Sequence, residues 1–334
     1  MTLLLGIETS CDDTATAVVR DGRAVLSNVS TNQDVFHAKY GGIVPEIASR
    51  RHASLLSAAI DDALVRAGTS LDAIDGIAVT AGPGLIGSLV VGVATAKALA
   101  FATGKPLYAV NHLHGHLFAA FLDTDAEPPY PFLALLVSGG HTQLVAVESA
   151  RELRVIAKTR DDAAGEAFDK TARLLGLPFP GGPALEKLAR DGNPKAVAFP
   201  RYRPEPGALD LSFSGLKTSA RYFLASEAAN GVSHADVAAS FQAAIVDVLI
   251  DRVERALDAR SYRAIVLSGG VAANVVLATA FRRSGEARGL PAFVPERRFC
   301  TDNAAMIAAA AERRGDLDLR DPLTLTADPN LAFA

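Results

Sequence analysis

The sequence predicts an α/β fold built from two similar halves, and three observations lead to this prediction. At 334 residues the chain is longer than a single hydrophobic core usually serves. Apolar runs of strand length alternate with segments of helical periodicity. The same order of strands, polar or glycine-rich loops and helices occurs twice, which indicates duplication of one unit. Two such halves facing each other would leave a cleft between them.

The first half begins with two apolar runs joined by a polar bend. Leu3–Gly6 and Thr14–Val19 flank the sequence ETSCDD, which predicts a hairpin with a carboxylate-rich turn. An insertion at about 32–52 precedes the next helix. The elements expected after it are a helix at about Ala53–Ala67, a strand at Ile74–Thr80, the loop AGPG, a helix at Leu85–Ala102, a strand at Pro106–Val110 and a helix that begins at the histidines.

The Pro-rich segment EPPYP, Glu127–Pro131, predicts the boundary between the halves, because it can neither continue a helix nor join a central strand. The expected domains are therefore 1–127 and 128–334, the second with an insertion at about 150–236. The repeated elements are Phe132–Val137, the bend SGGH, Thr142–Val147, a strand at Tyr262–Leu267, the loop SGGVAAN with its helix, and a strand at Pro291–Val294 followed by a helix near Asp302.

Two histidines at helical spacing are the first candidate for chemistry. His112 and His116 are four residues apart, so they share one helix face and their imidazoles can bind one metal ion, while His114 points elsewhere. Taken alone, the pair is also compatible with packing or capping at a helix start. The internal repeat places Asp302 at the start of the corresponding helix of the second half, where it can supply a third ligand. Two imidazoles and one carboxylate make an open site for zinc or iron. The alternative for Asp302 is a helix N-cap, a role for which Thr301 competes.

Glycine-rich loops follow two of the predicted strands. Ser138–Gly140 lies at a hairpin bend and Ser268–Gly270 lies before a helix, where backbone N–H groups can approach an anion. Ligands of α/β folds collect at strand ends, so two such loops in equivalent positions favour a phosphate-binding site over ordinary turns. Asp169, on a helix in the long insertion, is either a solvated surface residue or an acceptor for ribose hydroxyls. The motif GxxxxGK[ST] is absent from the sequence, which argues against a P-loop enzyme.

Composition limits the environment and the partners. The formal net charge of −4 gives no general basic field, so a nucleic-acid partner would have to meet local patches or helper proteins. Two distant cysteines, Cys11 and Cys300, fit a reducing cytosol. The uncharged stretch Gly76–Ala96 is long enough for a bilayer, but glycine and proline at 82–84 interrupt it, which predicts a soluble strand, loop and helix. The candidate basic patches, each also explicable as a solvated face, are Arg50–Arg51, Arg201–Arg203, Arg282–Arg283 and Arg297–Arg298.

Taken together, the motifs resemble those of one known family. They are GIETSCDDT, HAKYGGIVPEIASRRH, AGPGLIGSL, NHLHGH, LVSGGHTQL, GEAFDKTARLLGL, PGGP, SFSGLKT, SGGVAAN and CTDNAAMIA, which cover residue 6 to about residue 310. In this order they resemble TsaD, the tRNA threonylcarbamoyladenosine transferase family of the bacterial type. The resemblance implies two duplicated RNase H-like, actin-like (ASKHA) lobes with a nucleotide- and metal-binding cleft, the architecture of sugar kinases, actin and the Hsp70 ATPase.

The resemblance also implies a reaction. It is transfer of a threonylcarbamoyl group from threonylcarbamoyl-AMP to N6 of the adenosine 3′ of the anticodon in tRNAs that read codons starting with A. The implied metal ligands are His112, His116 and Asp302, holding one Fe²⁺ or Zn²⁺ per subunit. Asp12 is the implied acidic residue of the catalytic site. The implied adenylate contacts are Leu136, Val137, Ser138, Gly139, Gly140, Asp169, Gly182, Glu186 and Asn274, and Asp13 and His141 are further candidates. Two positions depart from the family: Asp13 stands where Glu is more common, and Glu186 where Asp is common.

The resemblance further implies partners and a location. These are the tRNA, the threonylcarbamoyl-AMP supplied by a TsaC-type synthase, the catalytically inert paralogue TsaB as heterodimer partner and the ATPase TsaE. The cytoplasm is the implied location, without a membrane. The small-residue-rich first half, including Ala53–Ala67, is the expected heterodimer surface, although this helix is also explicable as simply packing on its own sheet.

Three other classes of protein share some of these features. A zinc peptidase would need HExxH, and Leu113 occupies the position of the glutamate. A sugar kinase or ATPase chaperone of the same fold has no obvious use for the paired histidines. A non-catalytic scaffold would not need the ligand triad together with the SGG loops. Turnover of casein, of ATP with a sugar, or of the tRNA adenylate donor separates these alternatives.

Overall fold

The apolar runs of the sequence form two mixed β-sheets, each with helices packed against it. The computed structural model describes residues 1–315, 318–319 and 322–333. The strands are β1 (Leu3–Glu8), β2 (Thr14–Arg20), β3 (Ala24–Thr31), β4 (Gly76–Gly82), β5 (Leu107–Asn111), β6 (Phe132–Val137), β7 (Thr142–Val147), β8 (Leu153–Lys158), β9 (Ala264–Ser268), β10 (Ala292–Phe293) and β11 (Asp318–Leu319). The helices are α1 (Asp34–His37), α2 (Pro45–Arg66), α3 (Ile86–Thr103), α4 (His112–Ala119), α5 (Ala164–Leu174), α6 (Gly181–Ala189), α7 (Ser214–Leu224), α8 (His234–Ala259), α9 (Val275–Glu286), α10 (Arg297–Cys300) and α11 (Ala304–Arg314).

The two sheets share a five-strand topology, and the first sheet has β11 as an additional antiparallel edge strand beside β5. The first has the order β11-β5-β4-β1-β2-β3 and the second the order β10-β9-β6-β7-β8. In each, three antiparallel strands form a meander, and two later strands extend the sheet in parallel from the first strand of that meander. The predicted α/β class and the internal duplication are therefore confirmed by the strand order.

The chain divides into two compact units. Unit 1 comprises Met1–Pro128 and Pro295–Ala334, and unit 2 comprises Pro129–Val294. This differs from the predicted domain 128–334, because the last segment of the chain packs with unit 1. Helix α11 lies against β1, β2 and α4, and all its residues from Ala304 to Ala311 are buried there. An alanine-rich helix can pack closely on either sheet, so its own pattern did not show which one it would join.

Each unit has its own apolar core. In unit 1 the inner strands β1 and β4 contribute side chains such as Ile7 and Val79, which pack with Leu56 of α2 and Val93 of α3. In unit 2 the strands β6, β7 and β9 are buried along their whole length. Central strands of mixed sheets are covered on both faces, which explains why these segments are almost entirely apolar.

Several element boundaries differ from those expected. Strands β3 and β8 were not predicted, and β8 lies inside the segment 150–236 that was expected to be an insertion. Both are edge strands with exposed and polar residues, so they lack a continuous apolar run. Helix α2 starts at Pro45 instead of about Ala53, because proline is favourable in the first turn of a helix.

Helix α3 is long and apolar enough to cross a membrane by length and composition alone. It packs against β4 and α2, and one of its faces supplies buried residues to the core of unit 1. Burial of one face against a sheet is what a helix of an α/β core requires. The predicted strand, loop and helix at this position are confirmed.

Candidate metal centre and glycine-loop site

Helix α4 starts directly at the end of β5 and presents its histidines on one face. The side chain of Asn111 caps this helix, since its Oδ1 accepts a hydrogen bond from the backbone N–H of Leu113 at 2.9 Å. The rings of His112 and His116 are 4.7 Å apart, centroid to centroid, and nearly perpendicular. The cap thus fixes the first turn that carries the two imidazoles.

The third member of the group comes from the segment before α11. Asp302 Oδ1 lies 3.5 Å from His112 Nε2 and 3.3 Å from His116 Nε2. One ligand atom from each residue lies within 4.8 Å of the others, a group that could hold a metal ion. The structure therefore brings the three predicted ligands together, all within unit 1.

Asp302 is not the N-cap of α11, and neither is Thr301. Asn303 has that role, because its Oδ1 accepts a hydrogen bond from the N–H of Met306 at 3.0 Å. This result excludes the capping alternative considered from the sequence. The carboxylate of Asp302 precedes the cap and lies beside the two imidazoles.

His114 points away from this group, as predicted from the helical spacing. Its Nε2 is 2.8 Å from the carbonyl oxygen of Phe333. Asn111 Nδ2 also donates to this tail, at 3.0 Å to the carbonyl oxygen of Ala332. Carbonyl oxygens of Ala332 and Phe333 thus contact the first turn of α4 through two side chains, Asn111 and His114.

The donor set fits a divalent metal. Both ring nitrogens of His116 are buried, and within the described part of the chain neither makes a well-aligned hydrogen bond. Its Nε2 lies 3.3 Å from Asp302 Oδ1 without the alignment of a hydrogen bond. Unsatisfied buried polar atoms are uncommon in folded proteins and call for a partner. Two imidazole nitrogens and one carboxylate oxygen match the ligands of open zinc and non-haem iron sites.

The charges around the group oppose one another. Burial lowers the pKa of His112, but the negative charges of Asp302 and Glu8 outweigh burial and raise the pKa of His112 to about 9. Burial keeps the pKa of His116 below its ordinary value. In the metal-free protein at neutral pH, His112 is therefore the protonated histidine and His116 is neutral.

We expect metal binding to release about one proton from His112. At about pH 7.5 the metal-free imidazole is protonated, and a metal needs its nitrogen lone pair. His116, with its lowered pKa, contributes no proton. Isothermal titration of Zn²⁺ in buffers of different ionisation enthalpy measures the proton count. The release should fall toward zero as the pH is raised through about 9. A count near zero already at neutral pH would contradict this charge distribution.

The carboxylate-rich bend between β1 and β2 belongs to the same unit. Burial raises the pKa of Asp12, and the charge of Asp302 adds to this effect. Burial raises the pKa of Asp13 to about 8, again with a contribution from Asp302. Asp13 Oδ1 accepts a hydrogen bond from Asn32 Nδ2 at 3.2 Å. Both carboxylates are close enough to Asp302 for its charge to act on them.

In unit 2 the Ser138 loop forms a tight bend at the end of β6. The N–H of Ser138 donates to the carbonyl of His141 at 2.7 Å, and the N–H of His141 donates to Ser138 Oγ at 3.1 Å. The side chains of Leu136 and Val137 are fully buried, so only their backbones could contact a ligand. A Cβ on Gly139 or Gly140 would meet no atom within 4 Å, so the backbone of this loop is accessible to a ligand.

The other predicted adenylate contacts are linked to one another through backbone amides. Asp169 Oδ1 accepts a hydrogen bond from the N–H of Gly182 at 2.9 Å, which joins α5 to α6. Glu186 Oε1 accepts one from the N–H of Val275 at 2.9 Å, which joins α6 to the start of α9. Asn274 caps α9. Burial raises the pKa of Asp169.

Three polar residues that adjoin these sites were missed from the sequence. Gln242 Oε1 accepts a hydrogen bond from Asn274 Nδ2 at 2.8 Å in unit 2. In unit 1, Glu8 lies beside His112, and Thr80 donates a hydrogen bond to Glu8. Gln242 lies on α8, Glu8 ends β1 and Thr80 lies within β4. Their surroundings therefore depend on the fold, and no local pattern distinguishes them.

The shared strand order of the two units defines the class of protein. It is an ASKHA-type α/β protein, with an imidazole and carboxylate group in one unit and a glycine-loop site in the other. The solved structure of full-length HypF in its phosphate- and nucleotide-bound form aligns with a TM-score of 0.61. That alignment has 12% identity and covers 96% of this chain and 47% of HypF, so it supports the fold alone.

The chain belongs to the TsaD family, tRNA N6-adenosine threonylcarbamoyltransferase, whose family model matches residues 24–309. It is 52% identical over 334 residues to the protein of that name from Moorella thermoacetica, covering 99% of this chain and 97% of the relative. It is 50% identical to the one from Anaeromyxobacter dehalogenans strain 2CP-1, covering 98% and 99%. The expected membership of a transferase family that modifies tRNA is confirmed.

Proposed function

We propose that this chain transfers the threonylcarbamoyl group of threonylcarbamoyl-AMP to a tRNA. The acceptor is N6 of the adenosine 3′ of the anticodon in tRNAs that read codons starting with A. A bond forms between N6 and the carbamoyl carbon, the bond from that carbon to the phosphate oxygen breaks, and N6 loses a proton as AMP leaves. The proposal rests on one observation above all, the grouping of His112, His116 and Asp302 in a chain of this family.

The proposed metal, Fe²⁺ or Zn²⁺, would be held by His112 Nε2, His116 Nε2 and a carboxylate oxygen of Asp302. When bound, it supplies a Lewis acid that polarises the carbamoyl oxygen and offsets negative charge. The chain contributes the orientation of the two imidazoles, fixed by the Asn111 cap at the start of α4. Burial of both histidines limits the access of water to their nitrogens.

Asp12 is the proposed general base for the N6 proton. Its carboxylate is half-buried, and burial raises the pKa of Asp12 toward the range in which a carboxylate accepts a proton efficiently near neutral pH. Asp13 shares this environment and is a further candidate contact. If Asp12→Asn transfers the group at the wild-type rate while adenylate binding is unchanged, Asp12 has no part in the chemistry.

The adenylate is proposed to bind unit 2. The exposed backbone of the Ser138 loop suits a phosphate, because successive N–H groups there can donate to an anion. Asp169 Oδ1 and Glu186 Oε1 each accept a hydrogen bond from a backbone amide. Their second oxygens are proposed to accept hydrogen bonds from ribose hydroxyls, with Gly182 and Asn274 beside them and His141 as a further contact.

The proposed heterodimer surface for the TsaB paralogue is an apolar ridge on α3. Ile86, Val90 and Phe101 are 50%, 50% and 72% exposed and lie on the outward side of a helix whose other face is buried. Helix α2, the surface expected from the sequence, packs beside α3 and exposes Val65 at 77%. Exposed apolar side chains in such a row favour a protein partner. We further propose a cytoplasmic location, with the adenylate made by a TsaC-type synthase and TsaE as an accessory ATPase.

Phe101→Asp is expected to weaken TsaB binding by more than about 10-fold, because a charge would have to be buried in an apolar contact. Tyr222→Asp is the matched control, since Tyr222 is a similarly exposed aromatic residue, 63% exposed, on α7 of unit 2. Titration monitored by light scattering after gel filtration measures the complex. Wild-type affinity in Phe101→Asp would remove α3 from the interface.

Transfer of labelled threonylcarbamoyl from threonylcarbamoyl-AMP to unmodified tRNA, with helper subunits present, tests the function directly. We expect label in the tRNA with the wild-type chain, and none with His112→Ala or with a tRNA that carries guanosine at the acceptor position. His234→Ala, which removes an exposed imidazole of unit 2, should transfer normally. Absence of transfer with active helpers and metal-loaded wild-type protein would refute the proposal.

A further inference from the structure

We propose that Glu8 is a positioning residue that fixes the orientation and tautomer of His112 toward the metal. This inference rests on the metal site of the proposed function and extends it to a residue outside the ligand group. Glu8 is the last residue of β1, and its side chain is fully buried. A buried carboxylate is costly unless several donors satisfy it.

Three donors satisfy this carboxylate. Oε2 lies 2.9 Å from His112 Nδ1 and accepts a hydrogen bond from Thr80 Oγ1 at 2.6 Å. Oε1 accepts a hydrogen bond from the backbone N–H of Ser10. Thr80 lies on β4, the parallel neighbour of β1, so two strands of the sheet hold the carboxylate in place. Its position is therefore set by the fold of unit 1 before any metal binds.

The contact determines which ring nitrogen of His112 carries the proton. An ionised carboxylate can only accept hydrogen bonds, so Nδ1 must donate to Glu8. In the neutral ring, Nε2 then carries the lone pair, and this is the nitrogen 3.5 Å from Asp302 Oδ1. Ser10 Oγ, 3.2 Å from Nδ1, is farther away and can itself accept the same N–H. A carboxylate behind a metal-binding histidine commonly has this role.

The two histidines are not equivalent in this respect. Nδ1 of His116 is buried without a hydrogen-bond partner among the residues that the structure describes. Of the two imidazoles, His112 is thus the one whose outer nitrogen is held by a carboxylate. Glu8 thus sets the orientation of His112 within the ligand group and increases its basicity as a ligand.

Titration of the metal-free protein with Co²⁺, in competition with a chelator, tests this role. Glu8→Gln keeps the size of the side chain but removes its charge and its obligate acceptor character. We expect Co²⁺ to bind about 10- to 100-fold more weakly, with an altered visible absorption spectrum. Thr80→Val, which removes one donor to Glu8, should cause a smaller loss in the same direction.

The matched control is Thr16→Val on β2 of the same sheet, which removes a buried hydroxyl that donates to the carbonyl of Ala59 on α2 at 2.7 Å. It should leave Co²⁺ affinity and spectrum unchanged. Wild-type Co²⁺ affinity and spectrum in both Glu8→Gln and Thr80→Val would overturn the proposal. If Glu8→Gln does not fold, an unchanged affinity in Thr80→Val overturns it alone. Failure of the wild-type protein to bind Co²⁺ would remove the metal site itself, whereas binding unaffected by these variants would refute only the role of Glu8.

Discussion

His116→Ala is expected to weaken metal affinity by more than roughly 100-fold, because it removes a direct ligand. Loss of a residue that only hydrogen-bonds a metal ligand costs at most about 100-fold. Among the residues that the structure describes, none makes a well-aligned hydrogen bond with the buried nitrogens of His116. Such atoms destabilise a fold, so their removal offsets part of the cost of the cavity that alanine leaves. The variant should therefore remain folded without metal.

The measurement is thermal unfolding with and without Zn²⁺. Ligand bound only to the folded state stabilises it by about 2.7 kcal/mol at a free concentration 100 times Kd. Zn²⁺ should therefore raise the Tm of the wild-type protein, and it should leave the Tm of His116→Ala unchanged. His234→Ala controls for binding to surface imidazoles, since His234 is exposed on α8. An equal rise in Tm in wild type and His116→Ala would show that the ion binds elsewhere.

The ligand group could be predicted from the sequence because two of its members follow a local rule. His112 and His116 are one helical turn apart, and this spacing alone places them on one face. The third member depends on the internal repeat, which predicts that Asp302 lies near the two histidines, and the structure does group the three residues. The repeat places Asp302 in the second half, whereas the structure places it in unit 1, because the chain leaves the second sheet after β10.

The burial of Glu8 cannot be predicted from its neighbours in the sequence. In the sequence it belongs to the polar run ETSCDD, where a carboxylate is expected to face solvent. Its burial follows from Thr80, 72 residues away, and His112, 104 residues away. The edge strand β3 is not predicted either, because a half-exposed strand mixes polar and apolar residues without a clear period.

The second large effect is expected at Gly6, where β1 and α11 approach each other closely. A Cβ at this position would lie 2.2 Å from the carbonyl oxygen of Ala304, a backbone atom that cannot rotate away. Gly6→Ala must therefore displace the first turn of α11, and overpacking of this kind costs about 1–3 kcal/mol. Because Ala304 is two residues after Asp302, the displacement should also weaken metal binding.

Chemical denaturation and Co²⁺ titration of the same samples measure both consequences. We expect Gly6→Ala to unfold at a lower denaturant concentration and to bind Co²⁺ more weakly than wild type. Gly42→Ala is the control within unit 1, since a Cβ there would meet no atom within 4 Å. Lower stability with unchanged Co²⁺ affinity would show that Asp302 keeps its place when α11 moves. Unchanged stability would contradict the close contact between β1 and α11. The joint loss expected here would mean that the packing of one alanine-rich helix on the first sheet positions the carboxylate ligand.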